Sequence, residues 1–89
     1  MKAVIITTEH RGVFFGYVED DTDLTQTTLG LKDARMAIRW QTTKGIAELA
    51  KEGPNENSII GDQADWPVIH KVTAVMMVTP EAEKKWISA

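Results

Sequence analysis

Three runs of β-branched, aromatic and other apolar residues constrain the fold of this chain more than any other feature. They span residues 3–8 (AVIITT), 13–18 (VFFGYV) and 68–79 (VIHKVTAVMMVT). Such runs are typical of strands, in which successive side chains alternate between the two faces of a sheet. Gly16, in the middle of the second run, indicates a sharp bend or a bulge. The third run has apolar residues on both faces, which predicts a place in the sheet centre or at a subunit contact.

Length and composition limit the class of protein. The chain has 89 residues, which predicts a single domain over residues 1–89. It contains no cysteine, which excludes disulfides and thiolate metal sites, and 43% of its residues are apolar, as in a folded domain. Because small domains without such cross-links often associate, we expect a homo-oligomer. A net charge of −3 argues against the coating of duplex DNA.

Further local signals predict the remaining elements. Residues 27–40 form a third predicted strand with a kink at Lys32 and Asp33, and residues 59–60 form a short fourth strand. A helix is predicted at about 43–52, where Gly53 ends it. No signal-peptide pattern and no apolar run of about 18 residues occurs, so we expect a cytoplasmic protein without membrane contact.

The end of the chain predicts a second helix at about 80–88. Thr79 is a favoured N-cap residue, Pro80 suits the first helical position, and an acidic first turn follows. Trp86 shares a face with Ala82 and is expected to dock on the sheet. Together these signals predict a mainly β chain with two short helices, an α+β domain built as a small barrel of bent strands.

Residues 34–50 (ARMAIRWQTTKGIAELA) hold the strongest local signal for function. As a strand, this stretch places Arg35 and Arg39 on one face, while Thr43 is a plausible N-cap whose helix start attracts anions. A tryptophan, cations and a helix start together suit a nucleotide or another phosphorylated small molecule. The alternative is a packed tryptophan, solvated arginines and an ordinary cap. The predicted ligand-binding residues are Arg35, Arg39, Trp40, Thr43 and Lys44, with His10 and Arg11 at a turn and Trp66 as a second stacking wall.

Catalytic and metal-binding patterns are missing from the sequence. The two serines have no nucleophile elbow around them, and neither His10 nor His70 has the spacing of a metal ligand. The segment 42–45 (TTKG) lacks the first glycine of a phosphate loop. We therefore expect no enzyme, no cofactor and no metal.

The segment RGVFFGYVEDDTDLTQTTLGLKDA, residues 11–34, resembles the SH3-like and Sm-like pattern. In that pattern a bent strand with a glycine leads through a polar hairpin to an alternating strand. Sm-like proteins usually begin with a helix, and their RNA-binding motifs are not matched in this sequence. The resemblance therefore implies the barrel architecture and a tendency to oligomerise, but no RNA-contacting residue.

The stretches HRGVF, ARMAIRW, TTKGIAELA and HKVTAV resemble a small uncharacterised family of phage or prophage proteins. Small oligomeric phage proteins that antagonise host defence often act as sponges for nucleotide second messengers. By this analogy we expect a non-enzymatic homo-oligomer that binds a nucleotide-like anion in the host cytoplasm. The alternatives are an Sm-like or SH3-like module for single-stranded nucleic acid or a protein partner, and a purely structural or protein-inhibitory protein.

Overall fold

The computed structural model describes all 89 residues and contains one six-stranded antiparallel sheet with two helices. The elements are β1 (Lys2–Thr8), β2 (Val13–Val18), β3 (Leu29–Arg39), α1 (Ala47–Lys51), β4 (Ile59–Ile60), β5 (Ala64–Ile69), β6 (Val72–Met77) and α2 (Pro80–Ser88). The strand order is β4-β3-β2-β1-β6, and β5 pairs with β3 as well. The predicted mainly β chain with two short helices is confirmed. Neither helix is long and apolar enough to span a lipid bilayer.

Both faces of the central strands are buried, so the alternation of side chains builds two cores. Ile5 of β1 and Phe15 of β2 point to the helices, while Val4 and Phe14 point to the opposite side. The helix-side core contains Ala3, Ile5, Val13, Phe15, Ala37, Leu49, Ala50, Ala82 and Trp86. The strand-side core contains Val4, Ile6, Phe14, Val18, Leu29, Leu31, Ala34 and Ile69. The continuous apolar sequence of β1 follows from this burial on two sides.

The irregularity predicted at Gly16, a sharp bend or a bulge, is confirmed as a shift in the strand pairing. A Cβ atom at Gly16 would lie 2.9 Å from Cβ of Leu31 and 3.1 Å from Cβ of Ala34, so only glycine lets β3 come this close. The pairing between β2 and β3 shifts register beside this point. The kink predicted in β3 is present too, since Asp33 has a φ of 48° and its amide donates to Oδ1 of Asp65 at 3.0 Å.

Helix α2 begins and ends where the sequence predicts. The hydroxyl oxygen of Thr79 accepts a hydrogen bond from the amide of Ala82 at 3.1 Å, which is the expected N-cap. Trp86 is fully buried and stacks on Phe15, with ring centroids 5.2 Å apart and planes 4° from parallel. Its indole N–H donates to the carbonyl of Leu49 at 3.0 Å, so one side chain ties α2 to both the sheet and α1.

Helix α1 is shorter than the predicted 43–52, and the prediction of Thr43 as its N-cap is wrong. The helix spans Ala47–Lys51, and Ile46 at the N-cap position supplies no side-chain hydrogen bond. Gly45 has a φ of 92°, which breaks the helical conformation before that point. Gly53 ends the helical segment as predicted, with a φ of 86°.

The run at 68–79 does not form a single strand. The turn residues His70 and Lys71 divide it into β5 and β6, and Lys71 has a φ of 58°. β5 pairs with β3, whereas β6 pairs with β1 at the end of the strand order. The predicted position in the sheet centre is therefore wrong, and the predicted subunit contact stays a prediction. Trp66 and Pro67 belong to β5, where an edge position tolerates the missing N–H of proline.

Tyr17 of β2 gives the first testable prediction. Its hydroxyl donates to Oε2 of Glu83 at 2.7 Å, and burial together with this carboxylate raises the pKa of Tyr17 to about 12. Because folding raises the pKa, this contribution to the free energy of unfolding is full below pH 10.0 and is lost as the pH rises towards about 12. In a titration followed by phenol absorbance, we expect the midpoint of Tyr17 to lie near pH 12. We expect Glu83→Gln to lower this midpoint, because it removes the carboxylate charge beside the hydroxyl. A wild-type midpoint at the ordinary tyrosine value would contradict this prediction.

Candidate functional site

Arg35 directs two nitrogens of its guanidinium group to carbonyl groups of the chain itself. Its Nε donates to the carbonyl of Gly61 at 2.8 Å, and its Nη1 donates to the carbonyl of Trp86 at 2.9 Å, with further contacts to the carbonyls of Ile87 and Ala89. Three of these oxygens belong to the last turn of α2 and the residue after it, where the helix dipole favours a cation. Arg35 therefore holds the end of α2 against β3, and the predicted phosphate clamp is left without one of its two arginines.

The predicted anion site at the start of α1 is occupied by a carboxylate. Oε1 of Glu48 accepts hydrogen bonds from the amide of Thr43 at 3.3 Å and from its hydroxyl at 3.0 Å. A negative charge in this position repels a phosphate. Lys44 is exposed and pairs with Glu52, with Nζ 3.5 Å from Oε1. The amide and hydroxyl of Thr43 and the ammonium group of Lys44 thus bond to carboxylates of the same chain.

The remaining predicted residues lie apart from one another. Arg39 is exposed at the end of β3 and makes no hydrogen bond or salt bridge, and His10 is exposed in the turn after β1. Trp66 packs edge-on against Phe14 of the strand-side core, with ring centroids 5.1 Å apart. Trp40 lies by the helix-side core instead, so the two tryptophans do not form opposite walls of one site.

The structure does bring together two of the predicted residues, Arg11 and Trp40. Both line a shallow cleft of about 500 Å³, which we call the Trp40 cleft. Its other lining residues are Thr7, Gly12, Val13 and Ile46. The indole of Trp40 is partly exposed, at 36%, and Arg11 is exposed beside it. The sequence indicated Arg11 and Trp40 separately, but it carried no signal that they meet, nor that Val13 and Ile46 form the apolar wall.

A tight turn fixes the backbone of Arg11. Its amide donates to the carbonyl of Thr8 at 3.2 Å, and the amide of Gly12 donates to Oγ1 of Thr8 at 3.1 Å. Arg11 has a φ of 65°, which is uncommon for a residue with a Cβ atom. The turn therefore holds the guanidinium-bearing residue at the rim of the cleft.

A second cleft of about 480 Å³ lies beneath the loop that joins β2 to β3; we call it the loop cleft. Its apolar lining includes Val18, Leu29 and Leu31, which belong to the strand-side core. Its charged lining combines Lys32 with the carboxylates of Glu19 and Asp65. This mixture gives no excess of positive charge for a phosphorylated ligand. Nowhere in the chain do three His, Cys, Asp or Glu side chains come together as a metal site would require.

Comparison with known proteins gives one family. The model of a family described as "Domain of unknown function (DUF6948)" matches residues 1–86. No curated protein and no solved structure matches the chain. The family description names no activity and no ligand. The functional evidence for this chain is therefore the geometry of the two clefts.

Proposed function

Because the chain belongs to the DUF6948 family, whose description leaves function open, we propose a function from the Trp40 cleft: non-enzymatic binding of an anionic, nucleotide-like small molecule. The observation that carries this proposal is the meeting of Arg11 and Trp40 in one cleft of about 500 Å³. In a phage-type protein, tight binding without turnover lowers the concentration of a free messenger. The proposed role is therefore that of a sponge for a host immune nucleotide.

The two side chains suit the two halves of a nucleotide. The face of an indole stacks on a base, which is worth about 1–3 kcal/mol in single-stranded nucleic acid complexes. A guanidinium group binds a phosphate through two parallel hydrogen bonds. The apolar side chains of Val13 and Ile46 shield the ligand from water. The cleft volume of about 500 Å³ falls within the usual range for small-molecule sites.

Arg39 and Lys44 have a secondary role in this proposal. Both are exposed cations on the segment that contains Trp40, before and after it in the sequence. Exposed cations near a binding site raise the rate at which an anion arrives, and this effect weakens with salt. Arg35 and Thr43 support the fold and are not part of the proposed site, since Nε and Nη1 of Arg35 and the amide and hydroxyl of Thr43 donate to other groups of the chain.

We also propose that the sheet is a half-closed barrel of the SH3-like or Sm-like kind. Two observations support this proposal. β5 and β6 are separated only by His70 and Lys71, yet they pair with β3 and β1, which lie on opposite sides of β2. The register shift beside Gly16, where β3 comes close, is the kind of irregularity that bends the strands of such a barrel.

Calorimetry with a panel of cyclic nucleotides and ADP-ribose-type nucleotides tests the proposed site. We expect micromolar or tighter binding of one class, and we expect Trp40→Ala and Arg11→Asn each to weaken it by about tenfold or more. Asparagine is chosen because it tolerates the positive φ of Arg11 while removing the charge.

The matched control is Trp66→Ala. Trp66 is 39% exposed and Trp40 is 36% exposed, but Trp66 packs on the strand-side core, away from the Trp40 cleft. We expect this variant to bind as the wild type does. A panel without any binding heat, or an equal loss of affinity in Trp66→Ala, would overturn the proposal.

A second candidate function is the binding of a protein segment in the loop cleft. The apolar floor and the balanced charges of Lys32 and Asp65 favour a short peptide over a phosphate backbone. A gel shift with single-stranded oligonucleotides at two salt concentrations separates the classes. Oligonucleotide binding that weakens steeply as the salt concentration rises would favour a nucleic-acid ligand over the small molecule proposed for the Trp40 cleft and the peptide proposed for the loop cleft.

A further inference from the structure

The outer edge of β6 differs from the other free edges of the sheet. β6 pairs with β1 and has no strand on its other side. Proteins usually protect such edges with charges, prolines or very short strands. β4 has only two residues, and β5 contains Asp65 and Pro67. In contrast, residues 72–80 carry no charge, and β6 includes no proline.

The pairing with β1 shows which backbone groups of β6 point outward. The amide of Val78 donates to the carbonyl of Ala3 at 3.3 Å, and hydrogen-bonded pairs alternate along an antiparallel ladder. Met76 therefore faces β1, while the N–H and C=O groups of Val75 and Met77 point away from the sheet. No hydrogen bond from the rest of the chain reaches these groups.

Both ends of this edge are closed by the chain itself. The amide of Val72 donates to the carbonyl of Thr27 at 2.9 Å, and the amide of Thr79 donates to the carbonyl of Ala50 at 3.0 Å. The register shift between β6 and β1 lies beside Thr8, near the first of these ends. Only the segment around Val75 and Met77 thus remains open, which limits a pairing strand to a short overlap.

We propose that a second copy of this chain covers the edge, with the two β6 strands antiparallel about a two-fold axis at Met76. In this register Val75 of each copy lies opposite Met77 of the other copy, so the two-fold axis produces two such residue pairs. Each such pair exchanges two hydrogen bonds, so the contact forms about four of them. The six-stranded sheet then continues across the dimer. This inference does not depend on the ligand proposed for the Trp40 cleft.

Charge favours a second copy over an unrelated strand. Lys71 precedes β6 by one residue and Glu81 follows it in the first turn of α2, so in the sequence the two charges lie five residues before and five after Met76. Nζ of Lys71 lies 3.5 Å from Oε2 of Glu9 in its own chain, but both side chains are more than half exposed, and such a surface pair is weak enough to exchange partners. Antiparallel self-pairing brings the basic end of each strand towards the acidic end of the other. The surface is therefore complementary to itself, as a two-fold interface requires.

Sedimentation equilibrium of the full chain tests the proposed dimer. We expect the wild type to reach twice its mass of 9.9 kDa at high micromolar concentration. Met77→Lys places a charge on the edge and should weaken association by about tenfold or more. Its matched control is Ile87→Lys, because Ile87 on α2 is 56% exposed and Met77 is 55% exposed. This control should associate as the wild type does.

Hydrogen exchange gives a second measurement that does not depend on a variant. The amides of Val75 and Met77 should exchange quickly in dilute solution and become protected as the concentration rises. A monomer at high micromolar concentration would overturn the proposal, and so would a dimer in which these two amides stay unprotected. The proposal would also be overturned if the Met77→Lys variant folded and still formed a dimer as the wild type does.

Discussion

Replacing Trp86 by alanine is expected to remove most of the free energy of unfolding of this chain. The side chain is fully buried, stacks on Phe15 and donates a hydrogen bond to Leu49. Removing a buried tryptophan costs about 3–5 kcal/mol, because the cavity that remains closes only in part. Native domains have free energies of unfolding of about 5–15 kcal/mol, and a chain of this length falls at the low end. The substitution therefore removes most of the available stability.

Urea unfolding followed by circular dichroism measures this loss. Trp86→Phe keeps an aromatic ring against Phe15 but leaves the carbonyl of Leu49 without its donor, so we expect a smaller loss of about 1–3 kcal/mol. Ile87→Ala serves as the control, since Ile87 is the next residue and is 56% exposed. If Trp86→Ala unfolded at the same urea concentration as Ile87→Ala, the assignment of Trp86 as the link between α2, α1 and the sheet would fail.

Arg35→Met is expected to lower the free energy of unfolding by about 3 kcal/mol or more, because hydrogen bonds from a charged group contribute about 1.5–3 kcal/mol each and at least two are lost. Methionine retains much of the length of the side chain, so the effect reports mainly on the guanidinium group. Its donors bond to the carbonyls of Gly61 and Trp86, which become unsatisfied in the variant. The last turn of α2 should then fray from β3.

Arg39→Met provides the comparison on the same strand. Arg39 is exposed and makes no hydrogen bond or salt bridge, so its substitution should change stability by no more than about 0.5 kcal/mol. Urea unfolding of the two variants, together with hydrogen exchange of the α2 amides, distinguishes them. Equal stabilities would mean that Arg35 does not hold α2, and would return it to the set of possible ligand contacts.

Much of the fold follows from short sequence signals. Thr79 and Pro80 fix the start of α2, and the residues of β2 alternate between two faces as expected of a strand, although the burial of both faces was not predicted. Gly16 marked the bend because no other residue has room there. Each of these features depends on groups a few residues apart or on the absence of a single Cβ atom, and such information is local.

The misjudged elements depend on distant residues. The run at 68–79 looks continuous in sequence, but the positive φ at Lys71 divides it so that its halves can pair with β3 and β1. The partner of Arg35 at Trp86 is 51 residues away, which no pattern around Arg35 reveals. One further misjudged feature is local: the carboxylate of Glu48, five residues after Thr43, accepts the hydrogen bond from the amide that the sequence offered to an anion.

Local signals were sufficient for a mainly β chain with two helices, an irregularity at Gly16 and a buried Trp86, since alternation, capping and steric size act over a few residues. Which cations remain free depends on contacts between distant segments: Arg35 donates to carbonyl groups at the end of α2, whereas Arg11 meets Trp40 at the helix-side core. A charged side chain has the same chemistry everywhere along the chain. Whether it binds a carbonyl, a carboxylate or a ligand depends on the groups that packing of distant strands and helices brings within its reach.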